Sequence, residues 1–338
     1  MFPTTCKAKL TLLLGCLSFT FAGVGLRAEI KLPSLISDGV VLQQGMKVSI
    51  WGTAEPGEQV TVTLNNQKVA GTADAKGQWR VSLGPLTAGG PYTMTIAGKE
   101  DFITLHDVLV GEVWVCSGQS NMEMSVGPSE ASWKMPGVAN YQDEVARADY
   151  PMMHLFTVAR EVASKPQRDV KGYWVAARPQ TVNDFSAVGY FFGRELLKTL
   201  NVPIGLIHSS WGGTPAEACT NRETLESDPE YKPILDKEKQ LLASYPRTIQ
   251  DFEQQFTQWK QTSESAEAAG NSIPEPPSIP IDLRKNPNRP AVLYNAMLAP
   301  LTSYAIKGVI WYQGEANSDR PAQYRKFFPA LIRDWRRA

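Results

Sequence analysis

The chain has 338 residues, long enough for two domains and a sizeable core. Its 34 lysines and arginines balance 34 aspartates and glutamates, so no net field draws it to nucleic acid or to an anionic membrane surface. Four cysteines and three scattered histidines form neither a CxxC nor a metal-ligand spacing, so no metal site is expected.

Lys7 and Lys9 precede an apolar run, LTLLLGCLSFTFAGVGL, that ends at Arg27-Ala28-Glu29. A positive n-region, an apolar h-region and a small residue at the cut read as a secretory signal over residues 1–28, cleaved after Ala28. Two competing readings also send the chain out of the cytoplasm or tether it: a lipoprotein signal acylated at Cys16 in LLGC, and an N-terminal anchor. The apolar run continues well past Cys16, which favours simple cleavage. A secreted or periplasmic protein with no stable membrane partner is expected. Loss of residues 1–28 leaves Cys116 and Cys219, whose pairing is left open.

From Glu29 to about Asp107 the pattern is that of short strands. VTVTL alternates in period two, QWRVSL and YTMTIA do likewise, and EPGE, DAKG and TAGGP mark the turns between them. A small β-sandwich module is expected over residues 29–107. It gathers no nucleophile or acid, and Trp51 and Trp79 at strand positions read as core residues.

From Val108 onward the runs DVLVGEVWVC, PIGLIHSS and IKGVIWYQ are short and nearly continuous in apolar residues, as in strands buried on both faces. Between them, SAVGYFFGRELLKTL places Val188, Phe191, Phe192, Leu196 and Leu200 at helical spacing. The alternation predicts an α/β unit over residues 108–338 with a mainly parallel sheet and flanking helices. Residues 223–290 interrupt it with polar helical patterns, DKEKQLLASY and DFEQQFTQWKQ, and a proline-rich loop. They read as an insertion, peripheral to the sheet.

Ligands of open α/β sheets sit beyond the carboxyl ends of the strands. The three buried-strand candidates end in Gly118-Gln119-Ser120-Asn121, in Ser209-Ser210-Trp211-Gly212-Gly213-Thr214 and in Gln313-Gly314-Glu315-Ala316-Asn317. Taken singly, Ser120 is a turn residue, Gly212-Gly213 an ordinary turn, and Glu315 and Asn317 caps for a helix beginning near Arg320. Taken together they suit acyl transfer. A serine at a tight strand end exposes its oxygen, glycines admit close approach and offer an N–H, and an amide side chain donates a further hydrogen bond.

The segments VWVCSGQSNMEM, IGLIHSSWGGTPAEA and GVIWYQGEAN resemble the sialate O-acetylesterase family within the SGNH (GDSL-like) hydrolases. SDGVVLQQ, VSIWGTAEPGEQVTV, GGPYTMTI and YNAMLAPL extend the likeness over most of the chain outside the insertion. Met122 stands where an α/β-hydrolase G-x-S-x-G elbow needs its last glycine. The resemblance implies that Ser120 is the nucleophile and one oxyanion donor, flanked by Gln119 and Asn121, and that Gly213 or Gly212 is a second donor. Gln313 and Asn317 compete for the third, and Glu315 organises the loop. It further implies no cofactor and an O-acetylated sugar or polysaccharide as substrate, sialic acid and xylan being equally open.

SGNH enzymes draw their base from a late D-x-x-H motif, and none of His106, His154 and His208 has an aspartate three residues earlier. The chain is therefore expected to stop short of that motif. The leading expectation is a carbohydrate O-acetylesterase lacking its base. The alternative is a non-catalytic, secreted carbohydrate-binding protein.

Overall fold

A computed structural model describes residues 29–130 and 133–338; the expected signal at 1–28, with Cys6 and Cys16, lies outside the described residues. The first strands are β1 (Val41–Gln43), β2 (Val48–Thr53), β3 (Gln59–Leu64), β4 (Gln67–Thr72), β5 (Gln78–Leu83) and β6 (Gly89–Ala97). In β3 the period-two pattern sorts cleanly: Val60, Val62 and Leu64 are buried while Thr61 and Thr63 face partly outward. β2 and β5 form an antiparallel pair, and β3 pairs with β4 on one side and β6 on the other. Ile50, Trp79, Val81 and Leu83 from the β2–β5 pair share one buried cluster with Val62, Leu64, Met94 and Ile96 from the second sheet. Trp79 is fully enclosed there, and Trp51 is half-buried beneath the Arg80 guanidinium.

β7 runs 17 residues, Phe102–Gly118, straight through the position where the alternating pattern of the sequence changes. After it come α1 (Ser120–Glu123), α2 (Tyr141–Ala146), β8 (Tyr150–Thr157), β9 (Trp174–Ala177), α3 (Ala187–Leu200) and β10 (Ile204–Ser210). Then follow α4 (Arg222–Glu226), α5 (Lys232–Ala268), β11 (Gly308–Tyr312) and α6 (Pro321–Arg337). The first half of β7 pairs antiparallel with β6; the second half pairs parallel with β10 and β11. A bulge marks the change. His106 and Asp107 lie between the paired positions Leu105 and Val108, opposite Thr93 alone, and Asp107 adopts φ 55°. β8 pairs parallel with β10 and antiparallel with β9, so the sheet is mixed and mainly parallel at this end.

Three elements differ from their sequence patterns. All of β10 is buried, whereas β11 is half-exposed, with Val309 and Tyr312 facing solvent; it pairs with β7 along one edge only among the described residues. In α3 the buried residues are Ala187, Gly189, Tyr190 and Gly193, while Val188, Phe191, Phe192 and Leu196 lie at the margin of the core and Leu200 is exposed. Small residues bring this helix close to the sheet: a methyl group at Gly193 would lie 2.6 Å from Leu206. The two polar helical patterns of the insertion are one helix, α5, of 37 residues with Pro246 inside it. Its first turns are anchored by buried Glu238, which pairs with Arg222 and Arg289, and most of the rest is exposed.

Gly111 sits where β1, β7 and the residues before β10 meet. A methyl group there would lie 1.8 Å from the Pro203 carbonyl oxygen. Gly111→Ala is expected to cost about 3 kcal/mol through this backbone collision, read as a lower midpoint of urea unfolding; an unchanged midpoint would refute the close approach.

Candidate active site

Three strand ends meet at one edge of the sheet because β10 and β11 both pair with β7 in register. Ser210 and Tyr312 are each the Cα partner of Gly118. At Gly118 the backbone has φ 146°, and a Cβ would fall 2.1 Å from the Tyr312 oxygen, so only glycine fits. The Gln119 N–H donates to the same oxygen at 3.0 Å, and the chain then turns into α1 with Ser120 as its first residue.

Gln119 is buried and ties two of these ends together: its Oε1 accepts from the N–H groups of Gly314 (3.3 Å) and Ala316 (3.1 Å). Asn121 donates through Nδ2 to Glu315 Oε1 at 2.5 Å, which fixes the exposed Glu315 as a partner of the loop. Ser120 is half-buried. Neither its hydroxyl nor its N–H makes a hydrogen bond among the described residues.

The two glycines after β10 differ in what their N–H groups do. Gly212 donates to Glu123 Oε2 at 2.6 Å, and a Cβ there would lie 2.7 Å from that oxygen and 3.3 Å from Trp133 Nε1. Gly213 is exposed at φ 74°, with open space where a Cβ would point, and its N–H donates no hydrogen bond among the described residues. Glu123 is itself 3% exposed and forms an ion pair with Arg160. A carboxylate so enclosed needs such partners, because an unpaired buried charge is very costly.

The two amides also differ. Asn317 is buried: Oδ1 accepts from Ala216 N (2.9 Å) and Gln313 Nε2 (2.6 Å), and Nδ2 donates to Glu217 Oε2 (2.8 Å). Gln313 is half-buried; besides its bond to Asn317 it donates to the Thr214 carbonyl at a longer 3.3 Å, and its Oε1 accepts from the Tyr324 hydroxyl at 2.9 Å. Glu217, 5% exposed, is balanced by Arg320 at 2.8 Å.

The three histidines are placed differently. His106 stands in the bulge of β7, twelve residues before Gly118, roughly 40 Å along an extended strand. His154 is buried, with Nδ1 against the Gly39 carbonyl (2.5 Å) and Nε2 against that of Pro151 (3.1 Å). His208 is buried at the carboxyl end of β10, its Nε2 2.6 Å from Ser210 Oγ, and its Nδ1 has no partner among the described residues. Among the described residues no group of three or more His, Cys, Asp or Glu is arranged to hold a metal ion, and Cys116 and Cys219 are both buried free thiols. No helix among them is long and apolar enough to cross a membrane.

Sequence patterns alone did not single out Glu123, Glu217, Arg160 or the His208–Ser210 pair. For the two acids a signal exists: each is embedded among apolar or small residues, in NMEM and PAEA. For Arg160 there is none.

No protein-family model matches the chain. The sialate O-acetylesterase of Mus musculus is 33% identical over 348 residues, which cover 93% of this chain and 57% of the relative. The Homo sapiens protein of the same name is 34% identical over 334 residues, covering 93% and 54%. The crystal structure of a carbohydrate acetylesterase from Xanthomonas citri superposes with a TM-score of 0.69 at 32% identity, over 91% of this chain and 57% of that one. The chain is similar to the sialate O-acetylesterases over 93% of its length. It spans a little over half the length of the relatives it matches. The likeness covers more than nine-tenths of the chain, the N-terminal strands as well as the Ser120 edge.

Burial pushes the His208 imidazole down to about 4, with the Arg160 charge contributing. The unfolded chain takes up this proton near pH 6.5 while the native state resists it, so the contribution to stability is fully present above about pH 6.5. It is lost as the pH falls towards 4, to a total of about 3 kcal/mol. Denaturant unfolding followed from pH 7 to pH 4 is expected to show this loss, and His208→Gln to lack that part of it.

Proposed function

We propose that the protein is a carbohydrate O-acetylesterase of the SGNH type in which Ser120 is the nucleophile. The observation that carries the reading is an unbonded serine hydroxyl beside two unspent backbone donors, the N–H groups of Ser120 and Gly213. Ser120 Oγ attacks the acetyl carbonyl carbon, and the oxygen that becomes negative is held by those donors, each worth about 3 kcal/mol in the transition state. The bond from acyl carbon to sugar oxygen then breaks, the sugar leaves with a proton, and water hydrolyses the acetyl-enzyme. The chemistry requires no cofactor.

Gly213 takes the second donor role in preference to Gly212, whose N–H is spent on Glu123. Gln313 takes the third in preference to Asn317, because its 3.3 Å bond to Thr214 is weak enough to yield and Asn317 is locked between Ala216 and Glu217. Glu315, bonded to Asn121, holds the loop. The base is assigned to none of the three histidines: His106 stands roughly 40 Å along β7 from Gly118, the His154 ring is held by the Gly39 and Pro151 carbonyls, and His208 bonds through Nε2 to Ser210. The names of the relatives support an O-acetylated sugar or polysaccharide as substrate. We further read residues 29–107 as a non-catalytic β-sandwich module, 108–338 as the esterase part with its insertion at about 223–290, and 1–28 as the signal that exports it.

The placement of the histidines favours one second reading, a carbohydrate-binding protein without turnover. Acetate release from an activated acetyl ester separates the two. Turnover by the native chain is expected to fall by about 10³-fold or more in Ser120→Ala. Turnover that survives in that variant rejects Ser120 as nucleophile, and a native chain with no turnover even when imidazole is added as an external base supports the binding protein.

A further inference from the structure

Beside the Ser120 edge, at the carboxyl ends of β8 and β10, lies a cavity of about 400 Å³. We propose that it is the subsite for the sugar ring of the substrate and that it selects a neutral ring over one bearing a carboxylate. The proposal rests on the esterase reading for the identity of the ligand and on the cavity's own chemistry for its preference.

Position comes first. Ser210 lines the cavity and is the register partner of Gly118, two residues before Ser120. Glu123 lines it as well, three residues after Ser120 on the single turn of α1 and so on the same side of that turn. Through Gly212 the same carboxylate holds the loop that carries Gly213. A ring seated in the cavity therefore lies across the Glu123 carboxylate from the loop that carries Gly213, one turn of α1 from Ser120.

The lining has the make-up of a sugar site. Met135, Leu155, Val158 and Phe185 supply an apolar wall, and a few polar groups interrupt it, as ligand cavities generally require. At the rim stands Tyr173, 74% exposed and in no ring contact among the described residues, an aromatic face open to the C–H face of a pyranose. In the wall, His208 is 6% exposed and keeps an unpartnered Nδ1, a hydrogen-bonding atom that nothing among the described residues satisfies. The second cavity next to the site, about 480 Å³ beside Gly213, is lined by the ion pairs Glu217–Arg320 and Glu238–Arg289 and by no aromatic ring.

Charge sets the preference. Arg160 is paired with Glu123, and burial keeps His208 uncharged near neutral pH. Among the described residues of the lining, that leaves exposed Asp184 as the uncompensated charge. Asp184 accepts hydrogen bonds from hydroxyls and repels a carboxylate, a repulsion that salt weakens.

The test is binding, which needs no turnover. The native chain is titrated by NMR with methyl β-D-xylopyranoside and with N-acetylneuraminic acid, neither of which carries an acetyl ester. The xyloside is expected to bind more tightly. Tyr173→Ala, at a surface position that leaves the fold intact, is expected to weaken it by about five- to tenfold, and Asp184→Asn to narrow the gap between the two sugars. Equal or tighter binding of the acidic sugar overturns the charge preference. Unchanged xyloside affinity in Tyr173→Ala, or no sugar binding to the native chain, overturns the subsite. Acetate release judges the esterase reading separately, so a chain that hydrolyses an activated ester yet fails these titrations refutes the subsite alone.

Discussion

Backbone pairing along β7 constrains everything around it. A buried strand must place each N–H and C=O on a partner, and β7 draws its partners from β6, β1, β10 and β11 in turn. Neighbours come so near at Gly111 and Gly118 that a side chain at either would meet a carbonyl oxygen. The ladder ends at Gly118, and the Gln119 N–H is the last to find the neighbouring strand. Ser120 follows, past the reach of the ladder and at the first residue of a helical turn, where N–H groups have no intrahelical acceptor. Its free N–H is thus a consequence of where the sheet stops.

Buried carboxylates decide how the loops around that point are held. Glu123, Glu217 and Asp334 are each almost wholly enclosed, and each takes backbone or side-chain donors from a segment remote in the chain. Removing a partner from a buried ion pair commonly costs about 3–5 kcal/mol, so these contacts fix geometry firmly. Glu123 takes the N–H of Gly212 and leaves that of Gly213; Glu217 and Ala216 hold Asn317 and leave Gln313 the looser amide. Chemically similar neighbours acquire different roles because an acid elsewhere in the chain has claimed one of each pair.

The chemistry proposed for the site divides along the same line. Stabilising an oxyanion requires donors already oriented when charge develops, which the glycine and serine N–H groups offer on one side of Glu123. Holding a sugar requires an apolar face and a few polar atoms, which the cavity at the ends of β8 and β10 offers on the other. Arg160 links them, since its pairing with Glu123 cancels that carboxylate's charge in the cavity wall, while Glu123 braces the glycine loop.

The sequence by itself determined the local elements and the place where chemistry gathers. Alternation in VTVTL, the apolar run of PIGLIHSS and the abrupt change to small and polar residues after Cys116 depend on neighbours a few positions apart, and such periodicities survive in one dimension. The pattern misjudged α3, where Gly189 and Gly193 let the helix sink onto the sheet, and β11, whose apolar residues occupy an edge. Only the tertiary structure decided which donors are free. The bond from Gly212 to Glu123 spans 89 positions, and that from Ala316 to Gln119 spans 197. No local pattern encodes partners so far apart, because they meet only after β10 and β11 have aligned on either side of β7.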